Sequence, residues 1–562
     1  MDGFKQEIVK ALKKELKISE QEISDLMEMP SNPELGDYAF PCFRLAGVIK
    51  KAPNKIASEL QEKVKAKNVV EVRAAGPYLN FFVDKKELAK ATIEKILAEK
   101  KNFGRGSSSK KIVIEYPSPN TNKPLHLGHV RNMLLGKSVS RLLEFQGNKV
   151  IQVNLNNDRG VHICKAMLAY KLWGEGRKPE KKPDHFVGDF YVLYAKKAEE
   201  KPELEEEVQT MLRKWEKGDK ETIELWKKIS GWAKKGFEET YEKFGIKFEK
   251  TYNESEHYKE GKQIVKAAFK DGMLKKDKEG NIIAELKKKG LPDKVLLRKD
   301  GTSVYMTQDI NLAKIKYKDF RMDRSIYVVG TEQILHFKQL LKIIDILKIK
   351  AGELYHLAYG MVYLPEGRMK SREGKVVDAD DLVEGIIALA KDEVKKRHEL
   401  KDGELDERAK QIGMGALNFF ILKYDTPKDF IFNPEESIAL EGETGPYIQY
   451  AHARICSVFK KHGKSPAKID YEKLKEKEEI MLLKILGRFP HAAKEAAEQY
   501  KPQIVSRYLL ELSQQFNEFY HQHQVLKAED SLRDTRLALL EAVRQVIRNG
   551  LYLLSIDAPE EM

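Results

Sequence analysis

Residues 112–155 restrict the fold of this chain more than any other stretch. They open with a short apolar run, IVIEY (112–116), too brief for a helix and followed by turn residues, as a buried strand would be. From His129 to about Phe145, Val130, Leu134, Val139, Leu142 and Leu143 make a broad apolar stripe at helical spacing. Gly147 ends that pattern, and KVIQVNL (149–155) reads as the next strand. Parallel neighbours need a crossover, and strand, loop, helix, strand is the unit that supplies one. The spacing therefore predicts an α/β domain built on a parallel sheet.

With 562 residues the chain is too long for one core. Phe4, Ile8, Leu12 and Leu16 recur at helical spacing, and VVEVRAAGPYLNFFV (69–83) is a β-rich stretch broken by Gly76-Pro77. These two patterns make a small α/β module of residues 1–105, closed by the linker GRGSSSKK (104–111). Residues 106–385 form the expected sheet domain, where SIYVVG (325–330) and the helix pattern 331–347 resume the α/β alternation. Between them, the charged and helix-like stretch at about 175–300 reads as a helical insertion. From residue 404 onward only helix patterns occur, among them 503–520 and 536–554, so residues 386–562 are expected to be an all-α bundle.

Lys and Arg outnumber Asp and Glu to give a formal charge of +14, which suits a polyanionic partner such as nucleic acid. Cys42, Cys164 and Cys456 lie far apart with no C-x-x-C pair, so no zinc ribbon or disulfide framework is expected. Such cysteine usage suits a reduced, cytoplasmic protein. The first residues, MDGFKQEIVKALKKELKIS, hold no long apolar run, and no segment approaches the ~20 apolar residues of a membrane span.

The segment KPLHLGH (123–129) falls between the first strand and the helix, at the carboxyl edge of the expected sheet. That edge is where open α/β folds bind nucleotides. A helix start offers free N–H groups and the positive end of its dipole to a phosphate. Gly128 has no Cβ to keep a ligand from the backbone, and His126 and His129 can donate hydrogen bonds to phosphate oxygens.

HLGH resembles the His-x-Gly-His signature of class I aminoacyl-tRNA synthetases. Its flanks, IEYPSPNTNKPLHLGHVRN, look like the arginyl-tRNA synthetases. EGETGPYIQYAHARI (441–455) is similar to the opening of their helical anticodon-binding domain, and LLSIDAPEEM to their usual ending, with Glu561 where Arg is common. The resemblance runs colinearly over nearly the whole chain. It implies a Rossmann-like catalytic domain and an arginine–tRNA ligase. Such an enzyme activates L-arginine with ATP, taken with Mg2+, to arginyl-adenylate and transfers it to the 3′ adenosine of tRNA(Arg). Release of AMP and pyrophosphate, no zinc and a monomeric state are part of the same expectation. Other class I synthetases, a small nucleotidyltransferase or a non-catalytic tRNA-binding relative fit less well. The flanking segments, the length and the retained histidines argue against each in turn.

The resemblance also implies residue roles. His126 and His129 hold phosphate in the transition state. Glu115, Ser118, Asn120, Tyr305, Asp309 and Gln333 take arginine, whose guanidinium offers five donors and no acceptor and so needs carboxylates. Tyr305 and Asp309 are one helical turn apart. Asp309 is the expected guanidinium ligand, with Glu115 and Asn120 orienting the α-amino and carboxylate end. ATP is expected at Gly128, Met361 and the second signature, GRMKSREGKVV (367–377), through Arg368, Met369, Lys370, Ser371 and Arg372. Ser371 stands where the family signature has its second lysine. Members of the family lacking that lysine carry one at the position of Lys123, so Lys123 is the expected replacement. The tRNA is expected at Tyr78 and Asn80 through its D-loop, and at Tyr447, Tyr520 and Met562 through its anticodon.

Overall fold

A computed structural model describes residues 2–30, 33–365, 377–397 and 399–562. Near the N-terminus, helices Asp2–Glu15 and Pro53–Lys63 accompany a three-stranded antiparallel sheet. Strand Tyr78–Val83 lies at its centre, between Tyr38–Pro41 and Val69–Ala75. Phe4, Ile8, Leu12 and Leu16 are all buried, as their spacing predicts. Gly76, at φ +57°, makes the tight turn between the last two strands.

The central sheet has five strands, all parallel, in the order Glu353–Tyr359, Arg324–Gly330, Lys111–Glu115, Lys149–Asn156, Lys250–Asn253. The chain starts at Lys111–Glu115, winds outward to Lys250–Asn253, then returns to the other side of its first strand. The direction of winding reverses between Lys111–Glu115 and Arg324–Gly330, and the carboxyl ends of those strands frame a crevice.

Helix Leu127–Phe145 crosses from the first strand to the second. The sequence predicts one apolar stripe on it, but the helix is buried on nearly every side. It is covered by the C-terminal helices as well as by the sheet: Ser138 Oγ donates to the carbonyl of Leu553 and Arg141 to that of Tyr552. Small residues fill the tight faces. A Cβ on Gly136 would fall 2.5 Å from the Tyr116 ring.

The charged stretch after Trp173 is helical through Pro183–Glu200, Leu204–Lys217 and Lys220–Lys243. It then supplies β-structure that its charge conceals. Lys250–Asn253 is the edge strand of the parallel sheet, and Lys275–Lys276, Ile282–Ala284 and Lys294–Leu297 form a small antiparallel sheet. An edge strand half-open to solvent tolerates lysine, so its hydrophobic signal is weak. The C-terminal part is helical, with Asp402–Leu422, Gly445–His462, Lys477–Gln499, Pro502–Gln522 and Asp530–Leu553 as its long members. Among the described residues no helix is long and apolar enough to cross a membrane.

Candidate active site

The loop from Tyr116 to Leu125 leaves the first strand and rests on the tip of the second. Asn154 Oδ1 accepts from the Ser118 amide at 3.2 Å, Asn157 Nδ2 donates to the Ser118 carbonyl at 2.9 Å, and the Thr121 amide donates to the Asn157 carbonyl at 3.1 Å. Ser118 turns the chain here at φ +58°, and Asn120 is left exposed at the crevice. Asn154 and Asn157 escaped the sequence reading. The signal available was the asparagine run at the end of KVIQVNLNN, which a strand interior would not favour.

His126 is the N-cap of helix Leu127–Phe145. Its Nδ1 accepts from the Gly128 amide at 3.1 Å, while His129 Nδ1 accepts from the His126 amide at 3.2 Å. Each imidazole thus uses its Nδ1 lone pair on backbone, which leaves the proton of the neutral ring on Nε2. The rings lie 3.9 Å apart between centroids. Burial, and secondarily the charge of Lys123, pushes His126 down to about 4, and burial with both neighbours holds His129 well below its ordinary value. The pair is therefore two neutral Nε2–H donors at neutral pH, not two cations.

Positive charge at this corner comes from Lys123. It is half-buried, and among the described residues its ammonium has no hydrogen-bond or ion-pair partner. Burial pushes its pKa down. Helix Pro183–Glu200 presses the lysine's loop from behind, where a Cβ on Gly188 would meet Pro124 Cδ at 2.7 Å.

The histidine corner also pairs with distant chain. The Leu127 amide donates to the Val377 carbonyl at 3.0 Å, and the Ala379 amide to that of Leu125 at 2.9 Å. Arg368, Met369, Lys370, Ser371 and Arg372 lie outside the described residues; the chain that follows them joins the corner directly. On the other side, Met361 is tied down by Arg131, a residue the sequence reading passed over. The Arg131 guanidinium donates to the carbonyls of Gly360 at 2.5 Å, Met361 at 3.2 Å, Thr426 at 2.8 Å and Lys428 at 2.9 Å. It sits 4.7 Å over the Phe430 ring, and burial lowers its pKa to about 10. The Met361 amide donates to Asp429 Oδ1 at 2.6 Å.

The positions expected to take arginine surround the crevice at different depths. Tyr305 opens helix Tyr305–Phe320 and is 72% exposed; Gln333 is exposed in the turn after Arg324–Gly330. Asp309, one turn into the Tyr305 helix, has its Oδ2 2.6 Å from His336 Nε2. Glu115 lies deepest, with 5% of its surface exposed, and its Oε2 is 2.9 Å from the ammonium of Lys316. Neither His336 nor Lys316 was identified from sequence, since each carboxylate's partner comes from another element.

A charged cluster lies behind the corner. Asp380 accepts from Lys182 at 2.6 Å, Lys243 at 2.8 Å and His185 at 3.1 Å, and Asp378 lies 3.5 Å from His185. Burial pushes Asp378 up to about 6. For Asp380 burial acts the same way, but its three donors outweigh it and hold the carboxyl low. Asp184, His185 and Asp380 are close enough to share a metal ion. The two ammonium groups already compensate Asp380, so the cluster works as an ion-pair network tying the helical insertion to helix Ala379–Lys395.

Two further groups concern the expected RNA positions. Tyr447 OH accepts from Asn517 Nδ2 at 2.9 Å, and Asn517 Oδ1 accepts from Arg454 at 2.9 Å. The Arg454 guanidinium lies 4.6 Å from the Tyr450 ring and 5.4 Å from that of Tyr520. Tyrosines from helices Gly445–His462 and Pro502–Gln522 are thus gathered around one arginine that the sequence did not single out. Met562 packs against the cluster of Ala390, Ile412 and Ile438. In the N-terminal module, Tyr78 is half-buried and meets the exposed ring of Phe43 edge-on at 5.8 Å. Asn80 departs from its expected place on that surface. It is 3% exposed, because it lies in the central strand between Ala39 and Arg73.

Comparison with known proteins accords with this geometry. The chain matches family models described as the arginyl tRNA synthetase N terminal domain (residues 2–83), the tRNA synthetases class I (R) catalytic domain (92–434) and the DALR anticodon binding domain (448–562). It is 46% identical to an arginine–tRNA ligase of Treponema denticola, over 95% of this chain and 94% of that one. It is 42% identical to the arginine–tRNA ligase of Bacteroides thetaiotaomicron, over 93% and 92%. Among solved structures, Thermus thermophilus arginyl-tRNA synthetase superposes with a TM-score of 0.84 at 26% identity, covering both chains in full (100% and 100%). The Plasmodium falciparum arginyl-tRNA synthetase shares the fold, with a TM-score of 0.82 at 19% identity over 100% and 99% of the chains.

Proposed function

The chain belongs to the arginyl-tRNA synthetases, and from that premise we propose which of its residues carry each part of the reaction. As an arginine–tRNA ligase it joins L-arginine to tRNA(Arg) at the expense of ATP, which it takes as the Mg2+ complex. In the first step an oxygen of the arginine carboxylate bonds to the α-phosphorus of ATP. The bond from that phosphorus to the bridging oxygen breaks, and pyrophosphate leaves with the electron pair. The carboxylate is already ionised, so the step needs no general base. It needs in-line placement and donors aimed at the phosphoryl oxygens. His126 and His129 supply neutral Nε2–H donors at the helix start, with Gly128 allowing the close approach. Lys123 supplies the ammonium. In the second step a ribose hydroxyl of the 3′ adenosine attacks the activated carbonyl and AMP leaves.

The observation that carries this reading is the convergence, at the switch point of the sheet, of two backbone-fixed histidines and a lysine without a partner among the described residues. Asp309 takes the guanidinium, Glu115 and Asn120 the α-amino and carboxylate end, and Ser118, Tyr305 and Gln333 complete the enclosure. Met361, held by Arg131, and the segment bearing Arg368, Met369, Lys370, Ser371 and Arg372 receive ATP. Arg454, Tyr447 and Tyr520, with Met562 at the chain end, read the anticodon, where unstacked bases suit aromatic and guanidinium planes. Tyr78 meets the D-loop. The work divides among residues 1–105, 106–385 and 386–562. The enzyme acts in the cytoplasm as a monomer, in keeping with three unpaired, buried cysteines for the compartment.

The test is ATP–pyrophosphate exchange with each standard amino acid, with and without tRNA. Exchange that depends on arginine is expected when tRNA is present; its absence in both conditions would overturn the assignment. The packing of Gly188 on Pro124 makes a second expectation. Gly188→Val forces the Lys123 loop forward, and a shift of ~1 Å near reacting groups costs on the order of 10²-fold. The variant should therefore lose exchange by that order while keeping its circular dichroism. Wild-type exchange in a folded variant would show that the loop tolerates displacement.

A further inference from the structure

Glu115 and Lys316 form the most deeply buried ion pair of the crevice. Lys316 comes from helix Tyr305–Phe320 and has none of its surface exposed (0%), and its ammonium is 2.9 Å from Glu115 Oε2 and 3.7 Å from the centre of the Tyr327 ring. Such a pair is weak evidence for stability, because apolar residues of the same volume would serve a core as well. Its position suggests another reason for it. Glu115 ends the strand at the switch point, and its second carboxylate oxygen accepts no hydrogen bond among the described residues.

We infer that Lys316 is a positioning residue for amino-acid recognition: it holds one oxygen of Glu115 so that the other faces the α-ammonium of arginine. The inference rests on the role proposed above for Glu115. A carboxylate this deeply enclosed needs a paired donor, and without Lys316 the Glu115 side chain would lose the contact that fixes its orientation toward a charged ligand. Among the described residues, the groups that face Glu115 are Lys316 from the Tyr305 helix, Tyr327 from Arg324–Gly330 and Tyr252 from Lys250–Asn253, with Asp309 acting on Tyr327. Lys316 is the single cation among them. Burial opposes its charge, yet Glu115 and Tyr327 outweigh that and raise its pKa.

The experiment measures KM for arginine and for ATP in tRNA-supported exchange by the full chain. Lys316→Met should raise KM for arginine about tenfold or more and leave KM for ATP within about twofold. Lys316→Arg, which keeps the charge, should stay within about threefold of wild type. Lys316→Gln serves where the methionine variant does not fold, and should show the same selective rise. An unchanged KM for arginine in the neutral variants would overturn the inference, as would equal rises for arginine and ATP. Wild-type enzyme without arginine-dependent exchange would instead defeat the reading of the site on which this one stands.

Discussion

Replacing Lys123 with alanine is expected to lower arginine-dependent pyrophosphate exchange by about 10²–10³-fold, the scale on which loss of one transition-state donor is felt. Lys370→Ala is expected to cost far less. The two histidines cannot make up the charge, since their Nδ1 atoms are committed to backbone amides and burial keeps both rings neutral. Arg131, on the same helix, cannot either, because its guanidinium is spent on the carbonyls of Gly360, Met361, Thr426 and Lys428. That leaves one half-buried ammonium without a partner among the described residues of the corner. In a site poor in water its attraction to the departing pyrophosphate is screened weakly. The fall should appear in kcat more than in the KM for ATP, because charge accumulates as the bond breaks. Comparable losses in the two variants would sink the assignment and return the task to the second signature.

Asp309→Asn should reduce kcat/KM for arginine by about 10²–10³-fold, as truncating one member of a charge-paired contact typically does. The substitution keeps the shape and one hydrogen-bond acceptor, so the loss measures charge rather than packing. His336, whose Nε2 lies 2.6 Å from Asp309 Oδ2, holds the carboxylate in place in the structure. KM for ATP should move by no more than roughly twofold, since the aspartate touches only the amino acid in the proposed arrangement. Full arginine use by the asparagine variant, measured by the same exchange, would assign the guanidinium to another group. The depth of the two carboxylates makes this variant distinct from any change at Glu115. Asp309 is half-buried on a helix start, whereas Glu115 is enclosed at the end of a strand.

How far the sequence reaches can be judged from single elements. The strand at 111–115, the helix after His126 and the strand from Lys149 are legible because each shows as an apolar pattern of fitting length within one short window, bounded by turn residues. The edge strand Lys250–Asn253 is not legible: with one side open to solvent it carries lysine, and the surrounding charge hides it. Asn80 shows the opposite failure. A polar residue in a motif reads as a contact, yet the strand it occupies is the middle one of its sheet.

Sequence alone determined the parallel α/β core, the helix-start corner with its histidines, the colinear family likeness and the missing lysine at Ser371. These are matters of spacing and residue type within short windows. Tertiary structure alone decided that Lys123 stands without a partner among the described residues and that the histidines spend Nδ1 on their own backbone. It also joined Glu115 to Lys316, Asp309 to His336 and the anticodon-side tyrosines to Arg454. Glu115 and Lys316 are 201 residues apart, so no local period can report their meeting. A charge is paired or free according to where the sheet and its crossovers bring the chain back, and that path is settled by burying many side chains at once.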